Sequence, residues 1–312
     1  MDRFAAFHHR PFRRYFTGQV ISSVGSWLQA LAVTWLVLDL TGRSDRLGMA
    51  IALQFLPLLL LGVPAGVLAD RVYNRRLLLA TSAASAAVAL AFGLVVSAGD
   101  PSIWVIYGLA FVSGLVLAVE RPAMQVLLYQ LVGRDALPSA VAANSTIVSV
   151  ARLVGPALGG AMIAATGVAS CFFANAVSYV VVAAALASIS RRELVAREAR
   201  PGRGGDVRAA LAYVRGRAAV RRPLVVMAVV GLFVLNFPTM FPSLVRFEFD
   251  RGVGAVGTAM SVSAIGSILG GIYAAGVTPS PRRTLATILA AFTVVLVAVS
   301  MAPRYAAFVL LS

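Results

Sequence analysis

An all-α integral membrane protein, arranged as two bundles of spanning helices, is the fold this sequence predicts. Three observations predict it. The 312 residues are 60% hydrophobic and 12% charged, with mean hydropathy +0.88, a composition that excludes a soluble globular domain. Nine apolar runs, at 16–38, 47–69, 77–97, 102–119, 140–165, 168–189, 224–245, 254–277 and 285–302, each approach the about 20 residues that cross a ~30 Å hydrocarbon layer. One long hydrophilic stretch, 190–222, falls after the sixth run and separates a six-helix bundle at 1–189 from a second bundle at 223–312.

The arginines orient these runs. All 27 basic residues are arginine. With the N-terminus inside and successive spans alternating, 21 of them fall on the inner side, five on the outer side, and Arg152 inside a span. That asymmetry is the positive-inside signature of a multi-pass protein of the cytoplasmic (inner) membrane, N-terminus in the cytoplasm. The net charge of +15 is thereby topological, and no nucleic-acid partner is expected. The one cysteine, Cys171, lies in an apolar run, and His8 and His9 precede the first span, so no metal site, disulfide or cofactor is expected.

In chain order, residues 1–14 are basic and aromatic and read as a short amphipathic segment on the inner surface. The first run carries Gln19, Ser22, Ser26 and Gln29 on one helix face, which lipid disfavours and which therefore points inward. Asp39 closes its outer end, and Gln54 is a lone amide in the second run. The turn Asp70–Arg76 then joins the second and third runs with one carboxylate and three guanidiniums. Asp70 stands where its own helix dipole repels it; Arg71, Arg75 or the next helix N-terminus relieves it, making the turn a charge clamp. The plainer alternative is a topology-setting arginine cluster with an incidental Asp. Glu120 and Arg121 mark the inner end of the fourth run.

The fifth run contains Gly155, Pro156, Gly159 and Gly160. The glycines expose backbone for close helix contact, and Pro156 withholds an N–H from the carbonyl of Arg152. Arg152 itself lies mid-span, where an arginine costs about 2.5–3.5 kcal/mol and faces a bundle interior or a wet cavity. It either holds a polar or anionic substrate group or pairs with a carboxylate. Asn144 lies eight residues earlier on roughly the same face, and Asn236 is a lone amide in the seventh run. Asp39 and Glu120, the carboxylates nearest the membrane, are the candidates to carry a coupled proton. The link after the eighth run repeats an arginine pair, Arg282 and Arg283, six spans after Arg75 and Arg76, with Val277 in place of the acid. No phosphate-binding loop, nucleophile elbow or zinc-peptidase motif occurs, which argues against an enzyme.

These residues resemble the major facilitator superfamily. Gly62–Arg76, with Gly66, Asp70, Arg71, Arg75 and Arg76, is similar to its signature between the second and third helices, Asn74 standing where glycine is usual. Gly155-Pro156-x-x-Gly159-Gly160 resembles the fifth-helix signature of its antiporters. Phe12–Gly25, Trp35–Gly42 and Gln54–Pro57 look like the branch of enterobactin-type siderophore exporters and macrolide or multidrug efflux proteins. The resemblance implies two six-helix bundles, alternating access, and proton-antiport export of drugs or siderophore-like metabolites by a monomer. It passes a conformation-locking role to Asp70, and control of conformational change and proton leak to the fifth-helix glycines and Pro156. Two departures stand out: Arg121 lies at the end of the fourth helix rather than inside it, and the spans number nine and part of a tenth, leaving the second bundle incomplete. The rival expectation is a truncated, non-transporting membrane protein that acts through a partner.

Overall fold

The computed structural model describes residues 4–195, 213–217, 220–221, 224–225, 237–276 and 305–311, and among them the regular structure is helical, with no strand. Asn236, the run at 285–302, the link at 277–283 and most of the 190–222 stretch lie outside the described residues.

Helix α1 is Arg10–Thr41. It starts before the apolar run because Pro11 presets φ in the first turn and Phe12 and Tyr15 reach the core. It stops where Gly42 turns left-handed at φ 60° and its N–H meets the Leu38 carbonyl at 2.9 Å. Helix α2, Ser44–Arg71, keeps its course through Pro57 and Pro64, and α3, Asn74–Ser97, follows after only two residues. Helix α4 is Ile103–Thr166, and α5, Val168–Ala187, follows it across Gly167. Beyond the hydrophilic stretch come α6, Phe237–Phe247, α7, Val253–Gly276, and α8, Tyr305–Leu311. Among the described residues, five helices, α1 to α5, are long and apolar enough to cross a membrane.

Helix α4 departs from the expected boundaries. Its 64 residues are broken at Gly133, whose φ of 73° and ψ of −175° are not helical, giving rods at 103–132 and 134–166. The helix therefore runs on about three turns past Glu120, where the apolar run ends. Beyond Glu120 the chain still has a buried face, made by Ala123, Leu127, Leu128, Leu131 and Val132, and that face holds the helix together. Arg121 thus lies inside the rod, not at its end. The N-terminal segment also differs from a free surface helix. Ala5–His8 forms one 3-10 turn, the Ala6 N–H bonds the Ser139 hydroxyl at 3.2 Å, and the Phe7 ring packs edge-on against Phe12 and Phe16.

The core forms two clusters at opposite ends of α1. At the Asp39 end, Leu31, Leu38, Phe92, Ile106 and Phe172 pack together with Phe241, Val256 and Phe308 from α6, α7 and α8. At the Asp70 end, Phe12, Tyr15, Leu78, Leu127, Leu131 and Leu186 all come from the first 189 residues. The parts before and after the hydrophilic stretch share a core at the Asp39 end.

Candidate functional site

Two contacts organise the polar and small residues of this molecule. The first joins α1 to α5. Gly18 and Gly25 let the backbones approach: a Cβ at Gly25 would stand 2.5 Å from both Asn175 Oδ1 and Ser178 Oγ. Hydrogen bonds then close the seam. Asn175 Nδ2 donates to Gln29 Oε1 at 2.8 Å, the Ser178 hydroxyl donates to Asn175 Oδ1 at 2.8 Å, and Ser26 Oγ and Tyr179 Oη lie 3.3 Å apart. Gln19 Nε2 donates to Ser23 Oγ at 3.4 Å on α1 itself. So the polar face of α1 meets a second polar set on α5, of which Asn175 is fully buried. The sequence carries the same signal for Asn175 as for Gln54, a single amide in an apolar run.

The second contact joins α4 to α7, and here backbone meets backbone. A Cβ at Gly160 would come within 3.1 Å of the Val253 carbonyl oxygen and 3.2 Å of Gly254 Cα, and one at Gly257 would overlap the Pro156 carbonyl. Gly155 and Gly159 face the other way, against Trp27, Leu28 and Leu31 of α1. The rod 134–166 is therefore wedged between α1 and α7, its glycines and Pro156 buried on both flanks. Arg152, by contrast, is exposed and makes no hydrogen bond or ion pair among the described residues. Asn144 is half-buried two turns away on the same rod. On α2, Gln54 lends its backbone to the crossing with α4, where Gly114 packs against its carbonyl and Pro57.

At the Asp39 end, Arg246 of α6 reaches α1 twice. Its Nη2 lies 3.4 Å from Asp39 Oδ1, and its guanidinium sits 5.0 Å over the Trp35 ring. At the Asp70 end, Arg75 does not turn to Asp70 but to α5: Nε donates to the Leu186 carbonyl at 2.8 Å and Nη2 to the Ala187 carbonyl at 2.7 Å. These are last-turn carbonyls past the i→i+4 ladder, that of Leu186 also taking the Ile189 N–H at 3.3 Å, so Arg75 caps α5 and complements its dipole. Asp70, Arg71 and Arg76 are exposed at the same end, and Gly66 has open space beside it. Glu120 lies within electrostatic reach of the Tyr15 and Tyr179 hydroxyls, and Tyr15 Oη is buried without a hydrogen-bond partner. Neither Arg75's cap nor Arg246's clamp is legible in the sequence, since both partners are remote in the chain.

Long apolar helices packed through glycines are the architecture of a multi-pass membrane protein. The whole chain, residues 1–312, matches the family described as transmembrane secretion effector, and the chain belongs to that family. It is 27% identical over 257 residues to the staphyloferrin A transporter of Staphylococcus aureus, covering 82% of this chain and 64% of that protein. It is 29% identical over 163 residues to the enterobactin exporter EntS of Salmonella typhimurium, covering 52% of this chain and 39% of that protein. The macrolide efflux protein A of Streptococcus pyogenes is 24% identical over 147 residues, covering 47% of this chain and 36% of that protein. The chain thus spans less than two-thirds of the length of the curated relatives it matches.

Proposed function

We propose that this protein is a secondary active exporter of small amphipathic molecules, drugs or siderophore-like metabolites, across the cytoplasmic membrane. The Asp70 end, rich in arginine, faces the cytoplasm, and the Asp39 end faces outward. A bundle at 1–189 and one at 223–312 rock against each other, opening a central cavity alternately to each side. The observation that carries this reading is the glycine seam between α4 and α7, which crosses the hydrophilic stretch in sequence and is free of interlocking side chains at Gly160 and Gly257. Relatives named for siderophore transport, siderophore export and macrolide efflux support the direction and the chemistry.

In this reading Gln19, Ser26, Gln29, Gln54, Asn144, Arg152 and Asn236 contribute to the cavity walls. Asp70, with Arg71, Arg75 and Arg76, holds the inner ends of the helices. Protons are the coupling ion, and Glu120, beside Tyr15 and Tyr179, and Asp39, beside Arg246, are the groups that carry them. Efflux tests the whole proposal. Cells making the protein are loaded with lipophilic antibiotics and siderophores, with and without a protonophore. At least one compound should accumulate less, and the protonophore should abolish the difference. Equal retention of every compound overturns export, and efflux indifferent to the protonophore overturns proton coupling.

A further inference from the structure

The register between α4 and α7 sets a polar residue opposite Arg152. Gly160 packs against Val253 and Gly257, while Gly257 packs against Pro156, so α7 runs antiparallel to the rod 134–166 in a fixed register. Four residues onward along α7 correspond to four residues back along the rod. That step takes Gly257 to Ser261 and Pro156 to Arg152. Ser261 is 9% exposed, on the face that meets α4, and its hydroxyl has no hydrogen-bond partner. A buried hydroxyl left unpaired is expensive and marks a place where a partner belongs.

The direction of Arg152 follows from the same contacts. At about 100° per residue, Gly155 and Gly159 lie on one side of Arg152 and Pro156 and Gly160 on the other, each within about 80°. The first pair faces α1 and the second faces α7. Arg152 therefore points into the cleft between α1 and α7, and it is exposed there although both flanks are buried. The carboxylates these three walls carry, Asp135 on the rod and Asp39 on α1, stand at the helix ends, Asp135 about 25 Å from Arg152 along the rod at 1.5 Å per residue, so neither is a counter-charge for it.

We propose that Arg152 and Ser261 form an anion-recognition subsite in the seam between the two bundles, taking the acidic group of an amphipathic solute. The guanidinium supplies charge and a forked pair of donors, and the hydroxyl supplies a third donor from the opposite bundle. Because the two residues sit on helices that move apart in alternating access, an acidic group held between them ties the two bundles together only in the conformation that brings the two helices close. The subsite rests on the export reading for its role, not for its existence.

The test reads the local charge without transport. In a Cys171→Ala background, Ser261→Cys is placed in phosphatidylcholine vesicles and labelled with an anionic and a cationic methanethiosulfonate reagent of similar size. The anionic reagent should react about tenfold faster relative to the cationic one, and Arg152→Gln should remove that preference while Arg152→Lys keeps it. Octanoate should slow the labelling and octanamide should not. Slowing by phosphatidylglycerol instead of octanoate overturns the solute in favour of a lipid headgroup. Equal rates for the two reagents, or no labelling by either, overturn the subsite itself. If Ser261→Cys fails to fold, Ser149→Cys, one turn from Arg152, serves as the reporter under the same criteria. Charge-selective labelling in a protein that exports nothing would remove the export reading and leave the subsite standing; active export with unselective labelling would do the reverse.

Discussion

The α1–α5 and α4–α7 contacts are both built on glycine, yet they differ in what joins them. Across α1–α5 the glycines bring the helices close enough for side chains to interlock, with Asn175 bonded to Gln29 and Ser26 beside Tyr179. Across α4–α7 the described hydrogen bonds include none, and the closest atoms are carbonyl oxygens and Cα atoms of Gly160, Gly254 and Gly257. Directional bonds must break for one helix to slide over another, whereas a glycine surface exchanges one van der Waals neighbour for the next at little cost. The proposed rocking of the bundles accordingly leaves the first contact inside one bundle and works at the second. The lesson is that small residues alone do not mark a fixed or a sliding interface; the polar residues beside them decide.

The sharpest way to break this contrast is to fill the sliding seam. Gly257→Val places a Cβ against the Pro156 carbonyl, where overpacking costs typically about 1–3 kcal/mol, and the state that needs this contact is lost. Efflux should fall more than tenfold, with Gly160→Ala milder because its nearest contact is 3.1 Å. Undiminished efflux in both variants would remove the seam from the transport cycle. Next in size is the fixed seam. Asn175→Leu and Gln29→Leu should each lower thermal stability, and their double-mutant coupling should be about 0.6 kcal/mol, up to about 1.7 kcal/mol, as for other hydrogen bonds between membrane helices. Additive effects would show that the bond contributes nothing.

Much of this is legible in the amino-acid sequence. Hydropathy placed α2, α3 and α5 within about three residues of their ends and missed the start of α1 by six, because an apolar run long enough to cross a bilayer has few alternatives to a helix. The run-based boundary failed where helix and apolar run part company: past Glu120 the helix continues on a half-buried face that a hydropathy window does not register. Gly133, the true break, carries no signal beyond being a glycine. The small-residue signature around Pro156 was visible, but which flank meets α1 and which meets α7 depends on a register set by remote residues. Ser261 shows the same limit, since one serine in an apolar run means nothing until the residue opposite it is known.

A smaller effect belongs to the clamp at the Asp39 end. Arg246→Gln removes one charge from a pair that is half-exposed, so stability should change by under about 1 kcal/mol. What should change is access: thiol labelling at Trp35→Cys should rise several-fold in the variant, and high salt should reproduce part of the rise in the parent. Unaltered labelling would reduce the clamp to an ordinary surface pair.

Smallest of all is a pH effect at the opposite end, where Glu193 closes the turn after α5. Its carboxylate accepts the Ser190 N–H at 2.7 Å and lies 3.4 Å from Arg14. The Ser190 N–H first, then the Ser190 hydroxyl, and then the charges of Arg14 and Arg10 hold the carboxyl below the usual glutamate range. A folded value below the unfolded one stabilises the turn above the ordinary glutamate pKa of about 4.3, and that stabilisation disappears as pH falls through the lowered folded value. The difference in thermal midpoint between the parent and Glu193→Gln should therefore be constant from pH 7 to about pH 5 and shrink toward pH 3. A difference that grows on acidification would mean the carboxyl is destabilised by its surroundings. The contact of Pro156 and Gly160 with Val253, Gly254 and Gly257 should be indifferent to this titration, because none of these residues titrates.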